Sequence, residues 1–266
     1  MTYLAILVLG CSSPSPDIDP QTTVPSRSAS PAFLKLAYYT GTEESYAALQ
    51  AYSDYLDIVS IDVFAVQDDG SIAGSDDLGA ADYAFAHGIA AYACVSNYRD
   101  EPLYDFDPAL ARAAIQTHKG TFIEQLVEIA GDERYVGVNI DLESIAYSDD
   151  IQADRAAFTA FIEELASRLH AMDKELIVSV PAKSAESPDD DWAYPFDLAA
   201  LGQAADYLQL MTYDQHGPWS EPGPVAGLDW VAIGSNQAVD FAASHRERDV
   251  IQGYHAGKLF IDVLYS

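Results

Sequence analysis

Residues 135–143 have the sequence Tyr-Val-Gly-Val-Asn-Ile-Asp-Leu-Glu and are the most informative part of the chain. Apolar and polar side chains alternate along its second half, which predicts a β-strand with two different faces. Asn139, Asp141 and Glu143 share one face, and the apolar residues between them share the other. In a (β/α)8 barrel, the apolar face of such a strand would pack on the helices and the polar face would point into the interior, with Glu143 nearest the catalytic rim.

Six other β-rich apolar runs accompany this strand, and helix-like segments lie between them. Alternating strands and helices predict a parallel sheet, either an open doubly wound sheet or a (β/α)8 barrel. No glycine-rich phosphate-binding motif follows the first strand, which disfavours a nucleotide-binding sheet. The predicted strands are 34–39, 56–66, 89–96, 135–143, 176–181, 207–213 and 258–265.

Two helices are predicted from apolar residues that recur at helical spacing. One covers 154–171 and the other runs from Pro108 to Ala130, with Asp107 before Pro108 as a helix-start signal.

Composition excludes several classes of protein. The 266 residues include 13 Lys and Arg against 42 Asp and Glu, so the formal net charge is −29. Such an acidic surface repels nucleic acid, so we expect no nucleic-acid partner. Two cysteines, Cys11 and Cys94, are too few for a disulfide framework or a four-cysteine zinc site. The acid excess is spread along the chain, which favours a solvated, salt-tolerant surface over a cation-binding one.

The N-terminal segment predicts export. Residues 1–11 contain a short apolar run that ends in Leu-Gly-Cys, too short to span a membrane. This ending resembles a bacterial lipoprotein signal with lipidation at Cys11, although no Lys or Arg precedes the run. Residues 12–32 are rich in Ser and Pro and are typical of a tether. We therefore expect an envelope or cell-surface protein anchored through Cys11, with a folded domain over 33–266. The alternative for the apolar run is a buried strand.

The polar face of the 135–143 strand is the main candidate site. Two acids and an amide in one buried column are costly unless they form hydrogen bonds or take part in chemistry. Two nearby carboxylates separate each other's pKa values, so one of them can hold a proton near neutral pH. The alternative is a structural hydrogen-bond network.

These residues resemble the D-G-x-D-x-D-x-E signature of glycoside hydrolase family 18, the chitinase-like enzymes. Val136 and Asn139 replace the first two of its aspartates. Residues 36–41, LAYYTG, are similar to the first strand of that family, and 207–226 are similar to its sixth strand with a Met-Thr-Tyr-Asp motif. The asparagine is closest to the YaaH-type branch of spore and cell-wall hydrolases. The resemblance implies a (β/α)8 TIM barrel, here one that stops after its seventh strand.

The resemblance also implies roles for individual residues. Glu143 would be the general acid, Asp141 would orient the substrate's 2-acetamido group, and Tyr213 would bind that group's carbonyl. Catalysis would be substrate-assisted, because the acetamide attacks the anomeric carbon, and neither cofactor nor metal is expected. The remaining positions expected to bind substrate are Asn139, Asp214, Met211, Tyr38, Phe64 and Trp219. For Tyr38 and Phe64 the alternative is core packing.

The expected function is therefore hydrolysis of β-1,4 bonds next to N-acetylglucosamine, in peptidoglycan first and chitin-type glycans second. The alternative function is a catalytically silent, glycan-binding surface lipoprotein of the same fold. The two differ in whether Glu143 performs acid catalysis.

Overall fold

The computed structural model describes residues 34–100, 102–217 and 220–232, and the backbone of 259–262. Cys11, Trp219 and the signal and tether segments predicted over 1–32 lie outside these residues.

Seven parallel strands form the main sheet, in the order in which the chain makes them. Each of the seven predicted strands is present; most are shorter than predicted, whereas the one predicted over 176–181 begins one residue earlier, at Glu175. A short β3 (Ile72–Gly74) adds to the sheet antiparallel to β2, and β5 (Tyr98–Arg99) and β6 (Asp105–Phe106) form a separate hairpin. The seven parallel strands are β1 (Leu36–Tyr39), β2 (Ile58–Val66), β4 (Ala90–Ser96), β7 (Tyr135–Asp141), β8 (Glu175–Pro181), β9 (Tyr207–Met211) and β10 (Leu259–Asp262).

The sheet curls into a barrel, as a contact between β1 and β9 demonstrates. These two strands are five strand spacings apart in the sheet, which would separate them by about 24 Å if the sheet were flat. Yet Gln209 Nε2 of β9 donates a hydrogen bond to the Tyr38 hydroxyl of β1 at 2.8 Å. The sequential strand order and this curvature identify the fold as that of a (β/α)8 barrel, seen here through seven strands.

Helices between the strands cover the outer face of the sheet. The longest, α5, begins after Asp150, whose side chain accepts a hydrogen bond from Ala153 N–H as an N-cap. Its predicted apolar face is buried in the main core, together with the outward residues Val138 and Ile140 of β7. None of the helices that the structure describes is long and apolar enough to cross a membrane. The helices of the described residues up to β9 are α1 (Glu43–Tyr52), α2 (Ala80–His87), α3 (Pro108–Arg112), α4 (Lys119–Ala130), α5 (Ile151–His170) and α6 (Leu198–Ala204).

The helix predicted from Pro108 to Ala130 is interrupted. Asp107 caps α3 by accepting from Ala109 N–H, with Pro108 in the first turn, as predicted. A π-helical segment, Ala113–Thr117, then separates α3 from α4. The helical spacing of apolar residues could not reveal this bulge, because one inserted residue leaves most of the pattern intact.

Inside the barrel, side chains form layers, as is usual for this fold. The layer nearest the amino ends of the strands is apolar and is centred on Ile58, Tyr92 and Ile177. Strand β8 passes so close to Gly137 of β7 that a Cβ there would stand 1.9 Å from the Glu175 carbonyl oxygen. The position therefore requires glycine. The next layer toward the carboxyl ends is polar, and it supports the candidate site.

Candidate active site

Asn139 is the centre of the polar layer. Its Nδ2 donates to the Ser60 hydroxyl at 2.8 Å, to the Tyr38 hydroxyl at 3.1 Å and to Gln209 Oε1 at 3.3 Å. Its Oδ1 accepts a hydrogen bond from the Ser179 hydroxyl at 3.2 Å. Asn139 is fully buried, and its network connects five strands of the barrel, β1, β2, β7, β8 and β9, beneath Asp141 and Glu143.

Asp141 and Glu143 lie above this layer, at the carboxyl end of β7. Asp141 is the last residue of the strand and is 9% exposed, whereas Glu143 follows two residues later and is 8% exposed. Both acids are therefore almost buried at the rim where active sites of this fold are built.

Burial raises the pKa of Glu143 well above its ordinary value, because a charged carboxylate loses hydration there. The negative charges of Asp141, Asp214, Asp105 and Asp62 raise this pKa further, in that order of importance. These four acids come from four different segments, so the fold gathers them around Glu143. A carboxyl group with such a pKa keeps its proton toward neutral pH, as a general acid must.

The backbone of Glu143 is held by Asn97, the first residue after β4. Glu143 N–H donates to Asn97 Oδ1, and Asn97 Nδ2 donates to the Glu143 carbonyl oxygen, both at 2.8 Å. The residue after Glu143, Ser144, has φ = 53°. Asp214 has φ = 55°, so a left-handed backbone occurs on two sides of the site, where such strain is typically found.

Asp62, which is half-buried, and Cys94, which is fully buried, form a second pair on neighbouring strands at the same register. A hydrogen bond from the Cys94 thiol lowers the pKa of Asp62, but desolvation has the larger effect and raises it to about 6. Burial raises the pKa of the Cys94 thiol as well, followed by the charges of Asp62 and Asp141. Cys94 is thus a free, buried thiol next to acids.

The other predicted site residues occupy different surroundings. Met211 is the last residue of β9 and is buried, and Tyr213 and Asp214 follow in the turn at the same rim, half-buried and exposed respectively. Tyr38 is half-buried, with its hydroxyl in the polar layer. Phe64 is not brought to the acids. A register shift between Asp62 and Phe64 turns Phe64 to the outer side of the sheet, where it packs on the main core.

Sequence reasoning missed Asn97, Asp62 and Asp105. Asp62 lies in an apolar run, two residues after Ser60, so the alternation that selected Asp141 would also have selected it. Asn97 directly follows a predicted strand, at the end where barrel sites are built. Asp105 gave no such signal, because only the fold of the β5–β6 hairpin brings it near Glu143.

Comparisons with known proteins agree with this geometry. A family model described as "Glycosyl hydrolases family 18" matches residues 35–263. The solved chitinase from Chromobacterium violaceum ATCC 12472 superposes with a TM-score of 0.72 and 38% identity, over 80% of this chain and 66% of that one.

Two relatives from Bacillus subtilis (strain 168) are also similar. The uncharacterised glycosylase YvbX is 39% identical over 205 residues, which are 76% of this chain and 58% of YvbX. YdhD, whose name describes a sporulation-specific glycosylase, is 28% identical over 180 residues, which are 66% of this chain and 40% of YdhD. The chain thus spans about half the length of these curated relatives.

Proposed function

The chain belongs to glycosyl hydrolase family 18, and from this premise we propose that it hydrolyses β-1,4 bonds next to N-acetylglucosamine. The observation that carries the proposal is Glu143, an almost buried carboxyl group at the barrel rim with a pKa raised by burial and by surrounding acids. That environment suits an acid that donates a proton near neutral pH.

The proposed reaction proceeds in two steps and retains the anomeric configuration. In the first step the acetamide oxygen of the sugar attacks the anomeric carbon while the glycosidic carbon–oxygen bond breaks and Glu143 donates its proton to the leaving oxygen. In the second step the Glu143 carboxylate takes a proton from water, which attacks the same carbon and reopens the oxazolinium ring. Glu143 thereby returns to its protonated form.

Other residues of the rim act on the acetamide and on the positive charge that develops. Asp141, two residues before Glu143, orients the acetamide and stabilises the oxazolinium cation by its negative charge. Tyr213 and Asp214 contact the same sugar from the turn after β9. Asn139 lies in the polar layer below, where it is held by hydrogen bonds with Ser60 and Ser179.

Peptidoglycan is the first proposed substrate and chitin-type glycan the second. The sequence resemblance to the spore and cell-wall branch supports this order, and the name of YdhD is consistent with it.

We further propose that the protein is exported and anchored through lipidated Cys11, because residues 1–11 resemble a lipoprotein signal. Labelling cells with an alkyne fatty acid tests the anchor, which predicts label on the wild type and none on Cys11→Ser.

The configuration of the first product tests the mechanism. NMR spectra recorded during cleavage of N-acetylglucosamine oligomers should show the β-anomer first, because two displacements at one carbon retain configuration. Oligomers of glucosamine, which lack the acetamide, should not be cleaved. An α-anomer as first product, or cleavage of the de-acetylated oligomers, would contradict substrate assistance.

A further inference from the structure

Glu143 stands where the β7 strand has already ended. Asp141 is the last strand residue, and the left-handed Ser144 turns the chain away directly after Glu143. The regular ladder between β4 and β7 reaches its last pair at Ser96 and Asp141. The sheet itself therefore gives Glu143 no ladder bond to fix its backbone.

Asn97 replaces that ladder with its side chain. Its Oδ1 accepts from the N–H of Glu143 and its Nδ2 donates to the carbonyl of Glu143, so one amide group satisfies both backbone groups of the acid. The second N–H of Nδ2 donates to the Asp107 carbonyl at 3.0 Å, and Asp107 N–H donates to the Asn97 carbonyl at 3.0 Å. Two carbonyls and one N–H surround the amide, which determines its orientation.

This arrangement requires asparagine. Asn97 is fully buried, so each bond is shielded from water and an unmatched partner would be costly. An aspartate would accept from Glu143 N–H but would present a lone pair to two carbonyls unless it were protonated. An alanine would leave the Glu143 N–H and both carbonyls without their partners.

The contacts of Asn97 are extended by further residues on the side away from Glu143. Arg99, two residues after Asn97, donates to the Asp107 carboxylate through Nε and pairs with Asp68 at 2.6 Å. Asp68 lies in the turn between β2 and β3, so the contacts form a path from this turn to Glu143. The β5–β6 hairpin, which carries Asp105, is enclosed by the same contacts.

We propose that Asn97 is a positioning residue that holds the Glu143 carboxyl group in its proton-donating orientation. This inference rests on the proposed function of Glu143 as general acid. Asn97 touches no reacting atom, and it acts through the backbone of Glu143. A displacement of about 1 Å in a catalytic group can lower turnover by about 10²-fold, which is the size of effect at stake.

Kinetics of Asn97→Ala and Asn97→Asp on N-acetylglucosamine oligomers test the proposal. For Asn97→Ala we expect kcat to fall by about 10- to 100-fold while KM stays within about twofold, because substrate contacts are intact. For Asn97→Asp we expect kcat to recover partly as the pH is lowered, because only the protonated carboxyl group can donate to a carbonyl. Two groups of charges face the carboxyl group introduced at position 97. Asp107 and Arg99 lie on the side of residue 97 itself. Glu143 lies on the other side, surrounded by Asp141, Asp214, Asp105 and Asp62.

Tyr92→Phe is the control for a merely structural effect. It removes a hydrogen bond between Tyr92 and Glu175 at the opposite end of the barrel, so it should lower stability and leave the pH profile unchanged. Equal pH profiles for Asn97→Asp and wild type, or a wild-type kcat in folded Asn97→Ala, would overturn the proposal.

Hydrogen exchange of the Glu143 amide separates this inference from the proposed function. Exchange should be faster in Asn97→Ala than in wild type, whether or not the protein cleaves glycan, because the acceptor of that N–H is gone. If the wild type is inactive but exchange is faster in the variant, the proposed function is contradicted, whereas the role of Asn97 in holding the Glu143 backbone is retained. If the wild type is active but exchange in Asn97→Ala is unchanged, only the role of Asn97 in holding the Glu143 backbone is contradicted.

Discussion

Gln209 on β9 donates a hydrogen bond to the hydroxyl of Tyr38 on β1, across the interior of the barrel. The same hydroxyl accepts from Asn139 Nδ2 at 3.1 Å and pairs with the Ser179 hydroxyl at 3.1 Å. One phenol oxygen therefore joins strands that are far apart in the sheet, directly below the acids. The curvature of the sheet and the support of its active site therefore involve the same polar layer.

Removing that oxygen should destabilise the fold. Tyr38→Phe leaves the Asn139 and Gln209 amides with one acceptor fewer inside the barrel, which should cost about 1–3 kcal/mol of unfolding free energy. Urea unfolding at constant pH measures this change.

Tyr39→Phe provides a matched control on the next residue. Tyr39 is buried on the other side of β1, and its hydroxyl has no hydrogen-bond partner among the described residues. Its substitution should change stability little or increase it. Equal losses for Tyr38→Phe and Tyr39→Phe would show that the polar layer contributes nothing specific.

Asp62→Asn should stabilise the protein at high pH. A carboxyl group whose pKa rises on folding favours the folded state at low pH and opposes it as the pH rises through the folded pKa. For Asp62 that rise is from 3.8 to about 6. The substitution should therefore add about 3 kcal/mol at pH 8 and little at pH 4. Urea unfolding at pH 4, 6 and 8 measures this difference, and a gain independent of pH would contradict the assignment.

Asp105→Asn should move the pH dependence of activity. The charge of Asp105 helps to raise the pKa of Glu143, so its removal lowers that pKa. Activity then disappears at lower pH, and we expect the alkaline limb of kcat/KM to shift down by about 0.3–1 pH unit. Glu124→Gln, an exposed substitution on α4, makes the same charge change far from the rim and should leave the limb in place. A shift to higher pH, or equal shifts in both variants, would contradict the arrangement of acids.

The formal net charge of −29 should make stability depend on salt. Repulsion between surface carboxylates opposes folding at low ionic strength, and it is screened when the Debye length falls to about 3 Å at 1 M salt. We expect Tm to rise from low to molar NaCl and then to level off. Calorimetry at constant pH measures it, and a flat or falling Tm would contradict a salt-tolerant surface.

Periodicity was sufficient to predict the strands and the longest helix, because burial on one face imposes a regular pattern on the sequence. It also predicted that Asn139, Asp141 and Glu143 share a face; all three are buried, and Asn139 lies in the polar layer. The strand was predicted to continue to Glu143, but it ends at Asp141. The alternation of polar and apolar residues continues past the last backbone hydrogen bond between β4 and β7. It could therefore not reveal that the Asn97 side chain, and not a neighbouring strand, binds the backbone of Glu143.

Phe64 illustrates the other limit of a pattern. Its position in the β2 sequence suggested a sugar-facing ring, but a bulge changes the face of every residue after it. The acids that raise the pKa of Glu143 come from positions 62, 105, 141 and 214, and only the folded barrel brings such distant residues together.

The most direct test of the account compares wild type with Glu143→Gln on N-acetylglucosamine oligomers and on purified peptidoglycan. Glutamine keeps the volume of the side chain and removes its transferable proton, so release of reducing ends should fall by about 10²- to 10⁴-fold while binding of the oligomers persists. Cleavage by wild type with that loss is the result we predict. Wild-type turnover in folded Glu143→Gln would contradict the assignment of Glu143 as the general acid.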